Sequence, residues 1–372
     1  MTIKQIQRVV VGMSGGVDSS VAALLLQDMG YDVHGLFMFN WDEDEQGYCT
    51  AAEDFQDASS VCRQLGLPLH KVSFATQYRK QVFDMFLAGL ESGHTPNPDV
   101  LCNREIKFGS FLEHAQRLGA DLVATGHYVR RRTVDGATQL LRGLDEDKDQ
   151  SYFLHAVPES ALSNALFPLG EMYKTKVRKI ALAAGLGNSR KRDSTGICFI
   201  GERPFREFLQ EHLPCEPGDI RTTDDRIVGR HIGLAFYTLG QRQGLGIGGV
   251  SGSNGEPWYV AAKDVERNVL TVVQGHDDPM LYSQSLAATT MHWINGPPDK
   301  SELRCQVSSR YRQSPAAGIL TLLDEKSCRV DFDQPQWAIT PGQYAVVYDG
   351  ARCLGGGVIV AATATHAVQS AV

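Results

Sequence analysis

A short glycine- and serine-rich loop near the start of the chain has the residue types of an anion-binding site. Residues 14–19 have the sequence Ser-Gly-Gly-Val-Asp-Ser and lie between an apolar run and the start of a predicted helix. Amides at the start of a helix lack intrahelical partners, and the helix dipole favours a negative charge there. Gly15 and Gly16 allow the tight turn that such a site needs. The hydroxyls of Ser14 and Ser19 can add hydrogen bonds, so the loop is predicted to bind a phosphate.

This loop is not the lysine-containing phosphate loop with the pattern G-x-x-x-x-G-K-[ST], which the sequence lacks. We therefore expect no lysine to be placed on a terminal phosphate. Asp18 would repel a phosphate unless a magnesium ion lay between them. The alternative is a turn that only caps a helix, and the strand before the loop and the helix after it argue against that alternative.

Two of the eight cysteines lie among residues that stabilise a thiolate. Cys102 precedes a predicted helix, whose dipole favours the ionised thiol, and Arg104 and Lys107 add positive charge nearby. Cys198 follows the basic run 190–192, which has the same effect. Each cysteine taken singly also fits a small buried side chain. Together, behind a phosphate loop, they indicate sulfur chemistry.

The elements that must position these residues follow from the hydrophobic pattern of the first half of the chain. Up to about residue 200, β-branched runs alternate with amphipathic stretches, which is typical of a parallel sheet covered by helices. Strands are predicted at residues 8–11, 32–38, 69–74 and 121–125. Helices are predicted at residues 19–29, 53–65, 77–92 and 106–118. The pattern therefore predicts an α/β domain.

The carboxyl half of the chain has a different amino-acid pattern. Glycine and proline become frequent and alternating strands appear, for example at residues 258–261 and 270–273. A softer break near residues 275–279 separates a small module from a final barrel-like one. We expect three domains, at residues 1–205, 206–278 and 279–365.

Composition places the chain among ordinary globular proteins. Hydrophobic residues make up 42% and charged residues 21% of the chain, and the mean hydropathy is −0.21, which excludes extended disorder. No apolar run is long enough for a membrane span, and the first residues lack the features of a signal peptide, so a cytoplasmic protein is expected. The cysteines are too few for a disulfide scaffold and form no C-x-x-C pair, which argues against structural zinc.

The charge distribution bears on nucleic-acid binding. The net charge of −7 argues mildly against a polyanionic partner. Residues 170–210, however, contain nine basic and four acidic side chains, whereas residues 1–60 contain two basic and ten acidic ones. The basic segment is predicted either to face a polyanion or to be the solvated face of a helix over residues 174–179.

The loop at residues 14–19 resembles the SGGxDS motif of the PP-loop, or N-type, ATP pyrophosphatases, which adenylate a carbonyl oxygen. Longer strings resemble, in order along the chain, the signatures of the tRNA-specific 2-thiouridylases of the MnmA (TrmU) type: GMSGGVDSSV, GLFM, TPNPDVLCNREIKF, ATGHYVR, LLRGLDEDKDQSYFL, DSTGICFIGER, TLGQRQGLGIGG, EPWYV, SRYRQ and TPGQYAVVYDG. The resemblance implies a parallel-sheet PP-loop ATP pyrophosphatase domain, a small central domain and a C-terminal β-barrel domain. It also implies the reaction. ATP adenylates the C2 oxygen of the wobble uridine in tRNAs for Lys, Glu and Gln, sulfur replaces that oxygen, and AMP and diphosphate leave.

The resemblance assigns chemical roles to three side chains. Cys198 would accept sulfur as a persulfide, and Cys102 would be the nucleophile that frees the terminal sulfur and leaves a Cys102–Cys198 disulfide. Asp99 would be a general acid/base near the target base, with Asn97 and Pro98 in the loop that receives it. A base in an anticodon must be unstacked before its C2 is reachable, so we expect the protein to extrude it into a pocket.

The resemblance further implies an ATP site that uses Mg²⁺ and a site for the anticodon region of tRNA. The residues implied for ATP are Gly12, Met13, Ser14, Gly15, Gly16, Val17, Asp18, Ser19, Met38 and Gly126. The residues implied for tRNA are Asn97, Pro98, Asp99, His127, Lys148, Asp149, Gln150, Arg310, Tyr311 and Gln343. A persulfide-carrier protein is the implied sulfur donor, and we expect the free protein to be a monomer.

Three alternatives stay open at this point. A PP-loop synthetase would use the same adenylation on a small molecule, with ammonia as the nucleophile; residue 2 is Thr2, so the amino-terminal cysteine of one amidotransferase class is missing. A non-enzymatic RNA-binding protein would keep ATP only as a ligand. Neither needs the two thiols. In a variant of the thiolase reading, Cys102, Cys198 and Asp99 would ligate an iron–sulfur cluster in place of the persulfide.

Overall fold

Five parallel strands form the sheet of the amino-terminal region. The computed structural model describes residues 6–41, 51–193, 205–248 and 255–364. The strands of this region are β1 Arg8–Gly12, β2 Asp32–Phe39, β3 Leu69–Ser73, β4 Leu122–Ala124, β5 Val129–Val134, β6 Ala137–Arg142 and β7 Ala165–Leu166. The parallel sheet has the order β3-β2-β1-β4-β7. Because the strand order reverses at β1, a ligand is expected beyond the carboxyl ends of β1 and β4.

Helices cover both faces of this sheet, as the alternating pattern predicted. They are α1 Val17–Asp28, α2 Ala51–Leu65, α3 Ala75–Tyr78, α4 Asp84–Glu91, α5 Pro98–Leu101, α6 Phe111–Arg117, α7 Ser151–Leu154, α8 Glu159–Ser163 and α9 Lys174–Ala183. The segment Arg79–Phe83 joins α3 to α4 with π-helical hydrogen bonding, and Cys102–Ser110 joins α5 to α6 in the same way. The central valines of β1 are fully buried because helices cover both faces of a parallel sheet.

The prediction that a helix begins at Ile106 is wrong by two turns. The helix begins at Pro98, whose fixed φ suits the first helical position. The side chain of Asn97 caps it by accepting the amide of Asp99 at 3.1 Å. Cys102 therefore lies inside the helix rather than just before it. Proline favours turns and first helical positions alike, so the sequence pattern alone did not indicate that Pro98 starts a helix.

A second, smaller sheet forms the central module. Its elements are α10 Phe205–Gln210, β8 Gly218–Arg221, β9 Ile227–His231, β10 Trp258–Asp264 and β11 Val269–Gln274, with a 3₁₀ turn at Leu234–Phe236. The strands have the order β10-β11-β8-β9, and β11 and β8 run parallel. Ile220, Val260 and Leu270 are fully buried in its core.

The last six strands close into an antiparallel barrel. They are β12 Tyr282–Trp293, β13 Glu302–Ser308, β14 Ala316–Asp324, β15 Ser327–Trp337, β16 Tyr344–Asp349 and β17 Arg352–Ala364, and a 3₁₀ turn at Pro279–Leu281 precedes them. The order β12-β15-β14-β13-β16-β17 returns to its start because β12 also pairs with β17. Closure of this kind leaves the barrel without a free edge. The expected fold class is therefore confirmed, whereas the three domain boundaries stay predictions.

The hairpin β5–β6 extends the sheet of this barrel from the amino-terminal region. Leu141 and Leu140 of β6 pair with Arg352 and Cys353 of β17. One apolar cluster also runs from Val10 of the parallel sheet to Tyr348 of the barrel. This hairpin was not predicted from the sequence pattern. No helix among the described residues is long and apolar enough to cross a membrane.

Candidate active site

The loop after β1 has the geometry of an anion-binding helix start. Gly16 is the N-cap of α1, and the hydroxyls of Ser14 and Ser19 lie 3.2 Å apart. The Ser19 hydroxyl donates to the Gly16 carbonyl at 3.1 Å, and the Ser14 amide donates to the Ser19 hydroxyl at 3.2 Å. Gly15 has a φ of +73°, and a Cβ there would collide with the backbone carbonyl of Asp54. This position therefore requires glycine, as the motif predicts.

The loop after β4 closes over the start of α1. A Cβ on Gly126 would lie 2.9 Å from the carbonyl carbon of Asp18 and 2.9 Å from the amide nitrogen of Ser19. The carboxyl ends of β1 and β4 thus meet at the point where the strand order reverses. Met38 lies half-buried near the end of β2, beside Val72 of β3. The ATP residues implied by the resemblance therefore share the carboxyl-end edge of one sheet.

A lysine from a distant helix reaches this loop and contacts the carboxylate of Asp18, whereas the expectation that no lysine lies on a terminal phosphate stays a prediction. Lys174, the first residue of α9, places its Nζ 2.7 Å from both carboxylate oxygens of Asp18. Its side chain is only 10% exposed. The Tyr128 hydroxyl donates to Asp18 at 2.8 Å, and burial together with Asp18 raises the pKa of that phenol far above its ordinary value. Lys174 neutralises a carboxylate that would otherwise repel phosphate.

Lys174 also belongs to an ion-pair cluster centred on Asp193. The Asp193 carboxylate accepts from Lys148 at 2.8 Å and from Arg178 at 2.7 Å, and Lys174 lies 2.9 Å from it. Burial opposes the ionisation of Asp193, but the hydrogen bonds from Lys148 and Lys174 outweigh it and lower the pKa to about 2. Cys198, five residues further on, lies outside the described residues.

Part of the basic segment forms ion pairs inside the protein, whereas Lys176, Lys179, Arg190 and Arg192 are exposed. Lys191 lies 2.6 Å from Asp54 and 2.5 Å from Asp57, and Lys174 pairs with Asp18. Basic side chains of residues 170–210 thus neutralise acidic ones of residues 1–60. The opposite charges of these two segments were visible in the sequence and were the signal that could have identified Lys174.

Asp99 and Cys102 lie one helical turn apart, in different surroundings. Asp99 is in the first turn of α5, where the dipole favours a carboxylate. Cys102 lies beyond that turn and is fully buried in the main apolar cluster, so the dipole argument for its thiolate loses force. The amide group of Asn103 donates to the Asp99 carbonyl at 2.9 Å and ties the two turns together.

A cavity of about 270 Å³ opens where three parts of the chain meet. The amino-terminal region supplies Thr95 and Asp99, the central module Arg206 and Phe236, and the barrel Gln343. Arg206 is the single cation among the described residues that line it. The buried hydroxyl of Thr95 has no hydrogen-bond partner within the described part of the chain. The cavity combines apolar walls with a few polar groups, which is typical of a small-molecule or nucleobase site.

The residues implied for tRNA contact near β5 already have partners in the protein. His127 is buried and its Nδ1 lies 2.8 Å from the Thr125 hydroxyl. Burial, and to a smaller extent Lys107, lowers the pKa of His127 well below its ordinary value, so the ring is neutral. Gln150 accepts the Tyr128 amide at 3.0 Å.

The remaining members of this set also make internal contacts. Asp149 accepts the Gly143 amide at 2.9 Å and the Ser151 hydroxyl at 2.8 Å, so its carboxylate organises a turn. Tyr311 packs its ring 4.2 Å from that of Phe153. Burial lowers the pKa of the neighbouring Arg310, which stays charged. The contacts of these residues with tRNA stay predictions.

The chain matches known families over almost its whole length. A profile described as a tRNA methyl transferase HUP domain matches residues 7–202, a tRNA methyl transferase PRC-barrel domain matches residues 206–274, and an aminomethyltransferase beta-barrel domain matches residues 283–359. A tRNA-specific 2-thiouridylase MnmA from Nitrosomonas europaea is 56% identical over 354 residues, which cover 95% of this chain and 98% of that protein. The chain belongs to the tRNA-specific 2-thiouridylase family. A second member, from Pseudomonas paraeruginosa, is 56% identical over 362 residues, which cover 96% of each chain.

The names of the matching domain profiles and of the full-length relatives indicate different reactions. Two of the profile descriptions mention methyl transfer, whereas the full-length relatives are named 2-thiouridylases. The relatives match nearly the whole chain at more than half identity, so the thiouridylase name is the one that describes the family. Among solved structures, the U34-tRNA thiolase NcsA from Methanococcus maripaludis shows 18% identity and a TM-score of 0.34, covering 56% of this chain and 74% of that one. A likeness at this level carries no argument about function.

The described residues contain no group of three or more histidine, cysteine or acidic side chains that could hold a metal ion. The cluster alternative involves Cys198, which lies outside them.

Proposed function

We propose that this chain is a tRNA 2-thiouridylase that uses ATP to activate the C2 oxygen of the wobble uridine in tRNAs for Lys, Glu and Gln and replaces it with sulfur. The observation that supports this most directly is the match to tRNA-specific 2-thiouridylases at 56% identity over nearly the whole chain. In the structure, one helical run contacts both regions that the reaction would need. It carries Asp99 beside the cavity at one end, and further along Phe111 packs against the strand that leads into the phosphate loop. A Cβ on Gly12 would lie 3.5 Å from the Phe111 ring.

ATP fits the loop after β1 and the cradle that Gly126 completes. The first amides of α1 and the hydroxyls of Ser14 and Ser19 would hold its phosphates. Lys174 would balance negative charge as diphosphate leaves. Mg²⁺ would neutralise further charge between the Asp18 carboxylate and the phosphates. ATP supplies the adenylyl group that turns a poor leaving oxygen into a good one.

The target uracil would enter the cavity beside Asp99. The apolar side chains of Phe86 and Phe236 offer surfaces for a flat ring. The Thr95 hydroxyl, which has no partner among the described residues, offers a hydrogen bond to the polar edge of that ring. Asp99 would move the proton that accompanies adenylation. Extrusion from the anticodon stack is required because a base still within the stack could not reach a cavity that three parts of the chain line.

Sulfur transfer would use both cysteines. The Cys102 thiolate attacks the inner sulfur of a Cys198 persulfide, and a disulfide forms. Hydrosulfide leaves with the electron pair of the broken S–S bond. It then attacks C2, and AMP leaves with the electron pair of the C2–O bond. A cellular thiol reduces the disulfide. Because Cys102 is fully buried, we expect tRNA binding to open a path between it and Cys198 before this step.

A persulfide-carrier protein would supply the sulfur, and the free enzyme would be a cytoplasmic monomer. Light scattering of the free chain tests the oligomeric state.

Single-turnover thiolation of a tRNA-Glu transcript tests the proposed function. Purified protein, ATP, Mg²⁺ and a persulfide donor are mixed, and 2-thiouridine is measured by digestion and mass spectrometry. The proposal expects product from the wild type and none from Cys102→Ser or Cys198→Ser. Full activity in both variants would remove the two-cysteine route. Formation of AMP and diphosphate without thiolated tRNA would favour a small-molecule synthetase instead.

A further inference from the structure

Residues 93–96 lead directly into Asn97–Asp99 and are contacted by both downstream modules. On the central side, Lys263 of β10 donates from its Nζ to the Gly93 carbonyl at 3.2 Å. Gly93 has a φ of +79°, and a Cβ there would lie 2.5 Å from Val265 of the same module. The central module therefore packs closely on the first residue of this segment.

The barrel holds the same segment from another side. The Thr95 amide donates to the Pro341 carbonyl at 2.9 Å, and the Gln343 side-chain amide donates to the Thr95 carbonyl at 2.6 Å. Gly342 lies between these two contacts with a φ of +92°, and a Cβ on it would lie 2.7 Å from the Thr95 nitrogen. Both polar backbone groups of Thr95 are thus hydrogen-bonded to the barrel, one by Pro341 and one by Gln343, with Gly342 packed between them.

In the described part of the chain, the backbone hydrogen bonds from this segment to the preceding helix come from Gly93 and His94. Their amides still bond back to the preceding helix, at Leu90 and Gly89 respectively. From Thr95 to the N-cap Asn97, the hydrogen bonds that fix the backbone come from the barrel. Any shift of this stretch moves the start of α5 and with it the Asp99 carboxylate.

We propose that Gln343 and Lys263 are positioning residues that clamp residues 93–96, so that the two downstream modules set where Asp99 lies in the cavity. This inference rests on the proposed function of the cavity. It gives Gln343 a role distinct from the tRNA contact that the family resemblance implies, since its amide is used on Thr95. Loss of the clamp would slow turnover on bound tRNA more than it weakens tRNA binding.

Gln343→Glu is the sharpest test because it keeps the side-chain shape and removes the amide donor. We expect kcat for thiolation to fall roughly ten- to a hundredfold, while the Kd for tRNA changes less than about twofold. Gln306→Glu is the matched control, since it makes the same charge change at an exposed barrel position. A weaker Kd with unchanged kcat would make Gln343 a tRNA contact and overturn the proposal.

Hydrogen exchange tests the clamp without reference to activity. In Gln343→Glu and in Lys263→Met, the peptide that contains Thr95 should exchange faster, while peptides from β1 and β2 stay unchanged. Lys300→Met, at an exposed position, is the control for the lysine. Unchanged exchange around Thr95 in both variants would overturn the clamp. If the wild type makes no thiolated tRNA, the proposed function fails and the exchange result still decides whether the clamp exists.

Discussion

The phosphate loop and the cavity beside Asp99 differ in how many parts of the chain build them. The loop is one contiguous motif between a strand and a helix, and a few distant side chains, among them Lys174, Tyr128 and Asn188, contact it. The cavity has walls from the amino-terminal region, the central module and the barrel. A site built from neighbours in sequence keeps its geometry by local hydrogen bonds. A site built from three modules keeps its geometry only while they stay docked.

The largest effect on activity is expected from removing Lys174, because this lysine supplies the positive charge that the phosphate loop itself lacks. Lys174→Met leaves the Asp18 carboxylate without its cation, and we expect adenylation, measured as AMP release, to fall roughly a hundredfold or more. Lys179→Met, at an exposed position on the same helix, should have no such effect.

A double variant tests whether Lys174 acts by neutralising the charge of Asp18. Adding Asp18→Asn to Lys174→Met removes the unpaired carboxylate and should recover part of the lost activity. A double variant no better than Lys174→Met would show that the lysine does not act by neutralising Asp18.

Gly126→Ala tests whether the loop tolerates any added volume. The new Cβ would press on the backbone of Asp18 and Ser19, so we expect the KM for ATP to rise about tenfold with little change in the KM for tRNA. Gly187→Ala, where a Cβ meets open space, is the matched control. Equal kinetics of the two variants would contradict the close approach.

Phe236→Ala removes a cavity wall that the central module supplies. In contrast to Gly126→Ala, we expect it to change the KM for tRNA rather than the KM for ATP. Loss of one aromatic wall should raise the KM for tRNA by roughly five- to tenfold and leave the KM for ATP unchanged. Ile227→Ala, an exposed position of the same module, serves as the control. A rise in the KM for ATP alone would mean that the cavity does not hold the base.

The smallest effect on turnover at neutral pH is expected from His155, which lies at the junction of α7 with the barrel. Its ring is 4.9 Å from that of Tyr344, and its Nδ1 donates to the Tyr152 carbonyl at 2.7 Å. Burial lowers the pKa of His155 to about 4, and His292 and Arg104 act in the same direction. Because the unfolded ring titrates near 6.5, this contribution to stability is complete above that pH, falls progressively as pH drops from about 6.5 to about 4, and changes no further below about 4.

Urea unfolding between pH 7 and pH 4.5 measures this loss. His155→Gln should show a shallower decline with falling pH than the wild type, with turnover at pH 7 within about twofold. Parallel declines of the two proteins would mean that other groups cause the acid sensitivity.

The contrast between a contiguous loop and a cavity built from distant segments explains what could be predicted from the sequence. Periodicity located the strands and helices of the parallel sheet, and the contiguous motif located the phosphate loop, because both are local signals. Lys174 and Gln343 act across 156 and 248 residues of sequence, and a single chain carries no signal for such pairs beyond charge. The helix start at Pro98 was missed because proline favours turns and first helical positions alike.

The hairpin β5–β6 joins the amino-terminal region to the barrel through shared strand pairing. An amino-terminal fragment cut before the barrel would present the edge of β6 at Leu140 and Leu141 without its partner strand β17. It would also uncover the apolar surface that Val346 and Tyr348 cover in the whole chain. Unpaired, apolar edge strands promote aggregation. Proteolysis between the modules would therefore yield an insoluble fragment rather than a minimal adenylating enzyme.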